Sequence, residues 1–185
     1  MKQPKCYGFR EIKFYKIILP DEFILIQDTN EQKPLFGKLS SGQTRMFNNS
    51  MVRNLTVLGQ NLKHGDYSVK GFESQIIAER KMPSDFYQYV GKDRDHKSKP
   101  KGITTVDKLE YISQATCKML LVEASFKGLY GFPFTGCSQS SARAFFYSTL
   151  IKYGIPKFVT PDRTEMRRLI IEHFYYTYRL LRGER

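Results

Sequence analysis

Residues 129–156 read Leu-Tyr-Gly-Phe-Pro-Phe-Thr-Gly-Cys-Ser-Gln-Ser-Ser-Ala-Arg-Ala-Phe-Phe-Tyr-Ser-Thr-Leu-Ile-Lys-Tyr-Gly-Ile-Pro. A helical pattern breaks at Gly131 and Pro133, and a loop of small polar residues follows. The spacing predicts a second helix from about Ser140 to Tyr153, with Gly154 as its left-handed cap and Pro156 blocking any continuation. A Gly- and Ser-containing loop that opens a helix leaves backbone N–H groups directed at one point, which favours an anion there. Arg143 lies one turn inside this helix and offers a phosphate two parallel donors. The plainer reading is a Ser-capped helix after a Pro turn, with Arg143 in solvent.

Upstream, Thr104 and Asp107 have the spacing of a capping box, and Leu109, Ile112, Ala115, Met119, Val122 and Phe126 recur at helical intervals. These predict one helix from about Thr105 to Leu129, joined to the next by a turn over 130–138. Downstream, Asp162 with Glu165 starts a last helix. Its apolar face is Met166, Leu169, Ile170, His173, Phe174, Thr177, Leu180 and Leu181, and its other face carries Arg163, Arg167, Arg168, Arg179 and Arg182.

The first half is less regular. Lys13 to Leu19 and Phe23 to Ile26, separated by Pro20-Asp21-Glu22, read as a β-hairpin. Residues 28–50 read as loop with short turns. Met51 to Leu62 fits strand or helix, and Gly65 to Phe72 reads as a turn and strand. Ser84 caps a short helix to about Val90. Gly91 to Gly102 contains no apolar residue and five basic side chains, so it reads as an exposed basic loop.

With 185 residues, 41% hydrophobic and 14% aromatic, the chain is long and apolar enough for one folded domain over 1–185. No apolar run approaches the roughly 20 residues of a membrane span, and Met1 to Arg10 lacks a secretory apolar region. Cys6, Cys117 and Cys137 form no Cys-x-x-Cys pair, which fits a reducing compartment. A net charge of +12 favours acidic partners such as nucleic acid, anionic lipid or nucleotide phosphates; ordinary basic solubility is the competing account.

Few residues offer themselves for chemistry. The three histidines, His64, His96 and His173, lack metal-ligand spacing, which argues against zinc. His173 falls on an apolar helix face and reads as a core residue. His96 lies in the basic loop. His64 and Asp66, in one turn, have a slight claim as base and partner on a flap. Cys137 stands where a helix start would lower a thiol pKa, but a small filler in a tight turn is the simpler account. Leu39-Ser40-Ser41-Gly42-Gln43 resembles the signature loop of ABC transporter ATPases, yet no P-loop accompanies it, so it reads as chance. The sequons at Asn48 and Asn54 are idle in a cytosolic chain. Phe145-Phe146-Tyr147 and Phe174-Tyr175-Tyr176 are able to stack bases, but helical positions argue for core.

The 129–156 stretch resembles, in degenerate form, the core motif of the Fic/Doc/AvrB (Fido-fold) superfamily. Pro133, Phe134 and Arg143 match the Fic motif; Phe132 stands at its His and Gly136 at its acid. The AvrB effector branch is closer in pattern, through Pro133, Ser138, Ala142, Gly154 and Ile155. The resemblance covers roughly the last third of the chain. It implies an α+β fold with a mainly helical Fido-like core and a small β-hairpin as flap. It implies a Fic-like or AvrB-like transferase, a nucleotidyl- or glycosyltransferase lacking the Fic His, and an effector acting on a protein target in a host cell. Its cofactor would be a nucleotide or nucleotide-sugar, held by Phe132, Thr135, Gly136, Cys137, Ser138, Ser140, Ser141 and Arg143, with no metal and no identified catalytic residue. The chain would be cytoplasmic, or secreted into a host cell without a classical signal peptide. The alternatives are a non-catalytic relative that binds a partner protein, or a basic nucleic-acid-binding protein, the less favoured of the readings.

Overall fold

The Ile76–Lys81 segment is the centre of the architecture, because it lies between an antiparallel and a parallel neighbour in a seven-stranded sheet. The computed structural model describes residues 16–91, 104–131 and 137–184. In chain order the elements are β1 (Ile17–Ile18), β2 (Ile24–Asp28), β3 (Thr44–Phe47), β4 (Val52–Arg53), β5 (Leu55–Gln60), β6 (Tyr67–Val69), β7 (Ile76–Lys81), α1 (Pro83–Gly91), α2 (Thr105–Ser113), β8 (Cys117–Val122), α3 (Phe126–Tyr130), α4 (Gln139–Tyr153), β9 (Lys157–Val159) and α5 (Arg163–Leu181). The large sheet runs β3-β5-β2-β6-β7-β8-β9, and β1 pairs with β4 apart from it.

The period-2 alternation of the central strands sorts side chains onto two faces. From β7 and β8, Ile76, Ala78, Cys117, Met119 and Leu121 enter one core with Met166, Ile170, Phe174 and Tyr178 of α5. Ile77, Leu120 and Val122 enter a second core with Phe86 of α1, Leu109 and Ile112 of α2, and Ala142, Phe145 and Phe146 of α4. The sheet is thus covered on both faces, the usual setting for parallel strands with continuous apolar runs.

This architecture corrects the expectation of a mainly helical Fido-like core. The helix predicted over 105–129 is three elements: α2, the strand β8 and the short α3. The run Met119-Leu120-Leu121-Val122 is apolar at every position because both faces are covered, and its spacing mimicked a helix. The early hairpin is also absent among the described residues. β1 pairs in parallel with β4, while β2 pairs with β5 and β6. The segment expected to form a flap supplies β6, which with β7 is an inner strand of the sheet. The 28–50 stretch contains the edge strand β3.

Three of the helix-end signals were accurate, but Ser84 is no cap: it is the second residue of α1, which Pro83 opens. Thr104 and Asp107 form a reciprocal capping box on α2, α4 ends at Gly154 with φ +60°, and Asp162 caps α5 through the N–H groups of Thr164 and Glu165. No helix among the described residues is long and apolar enough to cross a membrane.

One half-buried position on the edge strand β9 carries a cost. The Lys157 ammonium on β9 is enclosed without a hydrogen-bond partner, 5.0 Å from the Phe146 ring centre, and burial pulls its pKa down to about 8. The unfolded chain holds that proton up to about pH 10.4, so the folded state binds fewer protons between the two values and stability rises with pH across that window. Lys157→Met should therefore stabilise the fold at pH 7 by about 1–2 kcal/mol, discounted for partial solvation, with the gain shrinking towards pH 10. Paired urea melts at the two pH values check this. An equal gain at both would show that packing, not charge, is responsible.

Candidate active site at the carboxyl edge of the sheet

β2 and β7 run the same way, and β7, β8 and β9 are mutually parallel, so Asp28, Lys81 and Val122 end their strands at one edge of the sheet. Antiparallel β6 begins at that same edge. Crevices outside the carboxyl ends of strands are the common ligand sites of such sheets. Here the crevice is a cleft of about 350 Å³ lined by Asn30, Glu31, Lys33, Asp66, Lys81 and Asp85, among others.

Asp66 lies just before β6. Gly65, at φ +80°, turns the chain into the strand, and a Cβ there would lie 2.5 Å from the Ile77 side chain. The Asp66 backbone is fixed on both sides, its N–H donating to Ala78 (2.8 Å) and its carbonyl accepting from Asp28 (2.8 Å). Tyr67 pairs with Ala78, so the next antiparallel step sets Asp66 opposite Glu79 on one face. Lys81 follows on that face, two residues along β7, and its ammonium pairs with the Glu79 carboxylate. The Arg80 N–H donates to Asp66 Oδ2 at 2.6 Å.

Asp66 and Lys81 thereby line the cleft, and the buried Glu79 carboxylate is paired with the Lys81 ammonium. Burial, and after it the Glu79 charge, holds the Asp66 carboxyl well above the usual carboxylate range. Burial acts to discharge Lys81, but Glu79 and Asp66 outweigh it and keep the ammonium charged. A cleft with perturbed titratable groups of opposite sign is a physical marker of a functional site.

The cleft wall, residues 29–36, is fixed from behind. Arg80, on the opposite pleat from Glu79, donates to Glu31 (2.9 Å) and to the Lys33 carbonyl (3.0 Å), and pairs with Glu123. Arg163 of α5 reaches the same Glu123 at 3.1 Å and the carbonyls of Lys33 and Pro34 at 2.9 and 2.8 Å. The Tyr67 hydroxyl accepts the Leu35 N–H at 2.9 Å, and Gln27 holds Phe36 and Gly37 through its side-chain amide.

Of the residues anticipated for ligand binding, Phe132, Thr135 and Gly136 lie outside the described residues. Ser138 is the N-cap of α4 and bonds the N–H and hydroxyl of Ser141. Ser140 is exposed in the first turn, Cys137 is half-buried, and the Arg143 guanidinium lies over the Tyr130 ring at 4.7 Å. His96 also lies outside the described residues, as does most of the basic loop. His173 is exposed rather than in the core, its Nδ1 2.9 Å from the Leu169 carbonyl oxygen. His64 and Asp66 do share a turn, but that turn leads into an inner strand. Glu79 and Lys81 were missed altogether. Their signal was a Glu-x-Lys at alternate positions after the apolar run Ile76-Ile77-Ala78, the polar end of a buried strand.

The chain matches no protein-family model and no curated protein sequence. Its fold is shared with solved structures of XPF from Aeropyrum pernix. One superposes with a TM-score of 0.54 at 18% identity, over 86% of this chain and 67% of that one. The same protein in complex with DNA gives 0.53 at 20% identity, over 84% of this chain and 64% of that one. At these identities the likeness establishes the fold alone. It overturns the Fic-like and AvrB-like assignment, and with it the reading of a nucleotide-transferring effector, because that assignment needed a helical core where an inner sheet stands.

Proposed function

We propose that this protein binds nucleic acid, DNA foremost, and hydrolyses its phosphodiester bonds at the Asp66–Glu79–Lys81 cleft. The observation that carries the reading is the convergence of two carboxyls and a charged lysine at the carboxyl edge of the sheet. The net charge of +12 supplies a field that attracts a polyanion. The DNA held by XPF from Aeropyrum pernix, which has the same fold, supports the choice of substrate.

Phosphodiester hydrolysis places water on phosphorus and expels an alkoxide, so negative charge grows on the phosphoryl oxygens and on the leaving oxygen. The Lys81 ammonium is suited to donate to those oxygens, and Glu79 to accept from the attacking water. Glu79 also keeps Lys81 charged, so the two act as a unit. The donor set fits a hard divalent cation such as Mg²⁺, which is commonly held by one or two carboxylates with waters and substrate phosphate completing its shell. Asp66 and Glu79 would be those carboxylates; no group of three or more metal-binding side chains gathers among the described residues. Such a cation, when bound, neutralises charge on the phosphoryl oxygens.

Incubation of a labelled DNA duplex and its single strand with the protein and Mg²⁺ tests the reading. Cleavage should occur and fall by about 10²-fold or more in Glu79→Gln, the scale of a lost charge or general-base contact. Binding without cleavage in the parent protein would leave a nucleic-acid-binding protein as the better account. Cleavage unchanged in Glu79→Gln would remove the cleft from the reaction.

A further inference from the structure

Beside the cleft stands a second group of side chains that the reaction does not use. The His64 ring lies against the Tyr111 ring of α2, with centroids 3.9 Å apart and planes 31° from parallel. The Lys63 ammonium sits 5.9 Å from the same Tyr111 ring, and Lys108, one helical turn before Tyr111, belongs to the same face of α2. The ion pairs among the described residues include Arg163, Arg168, Arg179 and Arg182 of the α5 region, but neither Lys63 nor Lys108. Buried polar groups ordinarily find partners, and His64 Nδ1 is enclosed with none. The imidazole is therefore held by its ring contact and its backbone, not by a hydrogen bond.

This group is tied to the cleft by the shortest of links. His64 and Asp66 are separated by Gly65 alone, so their Cα atoms are at most about 7 Å apart. Successive phosphates of a nucleic-acid strand advance by about 3.4 Å along the axis. A backbone with one phosphate over the cleft thus presents a neighbour, roughly one to three nucleotides away, to His64 and the two lysines.

We propose that Lys63, His64, Lys108 and Tyr111 form a phosphate-holding subsite for the DNA strand next to the cleavage cleft. It rests on the nucleic-acid reading of the cleft and adds where the strand is gripped. Lys63 and Lys108 neutralise backbone phosphates, and Tyr111 sets the orientation of the imidazole between them. The arginines of α5, which the sequence presents as a basic face, are largely engaged with Glu123, Glu172 and Glu184, so the grip falls to the lysines flanking Tyr111.

The test uses the full chain carrying Glu79→Gln, titrated by fluorescence anisotropy against a labelled 20-mer, single-stranded and duplex, between 50 and 300 mM NaCl. Lys63→Gln/Lys108→Gln should flatten the plot of log affinity against log salt by about 1.4–1.8, the worth of two phosphate contacts. Tyr111→Leu should weaken binding about 5- to 20-fold with a smaller slope change. Lys127→Gln, an exposed lysine on α3, should leave both within twofold of the parent. Thermal melts of each variant confirm folding. An unchanged slope in the double-lysine variant overturns the subsite, and if the protein with Glu79 intact still cleaves, the cleft reading survives that loss. Absence of both cleavage and salt-dependent binding in the parent overturns the cleft reading, and the subsite falls with it.

Discussion

Arg80→Ala should destabilise the fold by about 3–5 kcal/mol, the cost of removing one partner from a buried ion-pair network. The Arg80 side chain is only 3% exposed and serves two carboxylates, Glu31 and Glu123, plus the Lys33 carbonyl. Glu123 would keep Arg163, and Glu31 would keep the Lys33 N–H at 3.0 Å. Neither replaces a guanidinium that bridges the two from within the sheet. The harm comes from the stranded charge rather than from lost attraction, so Arg80→Met with Glu31→Leu should recover part of the deficit despite removing a second charged group. Denaturant melts of the three proteins decide it. A single variant within about 1 kcal/mol of the parent would mean that water already solvates these carboxylates. The same network fixes the 29–36 wall of the cleft, so cleavage should suffer in the double variant even where stability returns.

Local rules served well where the chain talks to its near neighbours. Thr104 with Asp107, Asp162 with Glu165, and Gly154 after an amphipathic run announce helix ends through hydrogen bonds that span three or four residues. They give no account of what those helices pack against. The sheet was obscured for a physical reason: Met119 to Val122 is apolar on both faces, so no alternation marks it as strand, and its residues happen to extend the helical spacing begun at Leu109. Once 105–129 reads as one helix, the space for a central sheet vanishes, and a helical family becomes attractive on few letters around Pro133. The cleft was illegible for a related cause. Asp66 and Glu79 are 13 positions apart and meet only through the antiparallel register of β6 and β7. What the sequence did offer was polarity in the wrong place: Glu79, Arg80 and Lys81 end a strand that begins Ile-Ile-Ala, and charged residues in a buried strand seldom persist without a task.

Asp66→Asn should stabilise the protein while abolishing its activity. Burial and the Glu79 charge both oppose ionisation of Asp66, so at neutral pH the folded state bears the work of holding a carboxyl against its surroundings. An amide keeps the shape, still accepts the Arg80 N–H through its oxygen, and removes the conflict with Glu79. A gain of about 1–3 kcal/mol is expected in metal-free buffer, read as a higher melting temperature. The carboxylate that would help hold a divalent cation is then gone, and DNA cleavage should drop by about 10²–10³-fold. Added Mg²⁺ supplies the discriminating arm. It should raise the melting temperature of the parent, because a cation that binds only the folded state stabilises it, and it should do so far less in Asp66→Asn. Stability lost on this substitution would mean that the Asp66 carboxyl supports the fold through its charge beside Lys81, since the amide keeps the bond to Arg80, and is not held there at a cost. Stability gained with cleavage intact would move the reaction elsewhere on the molecule. The expected pair of changes, stability up and activity down from one oxygen-to-nitrogen exchange, is what a site that stores unfavourable charge for its substrate requires.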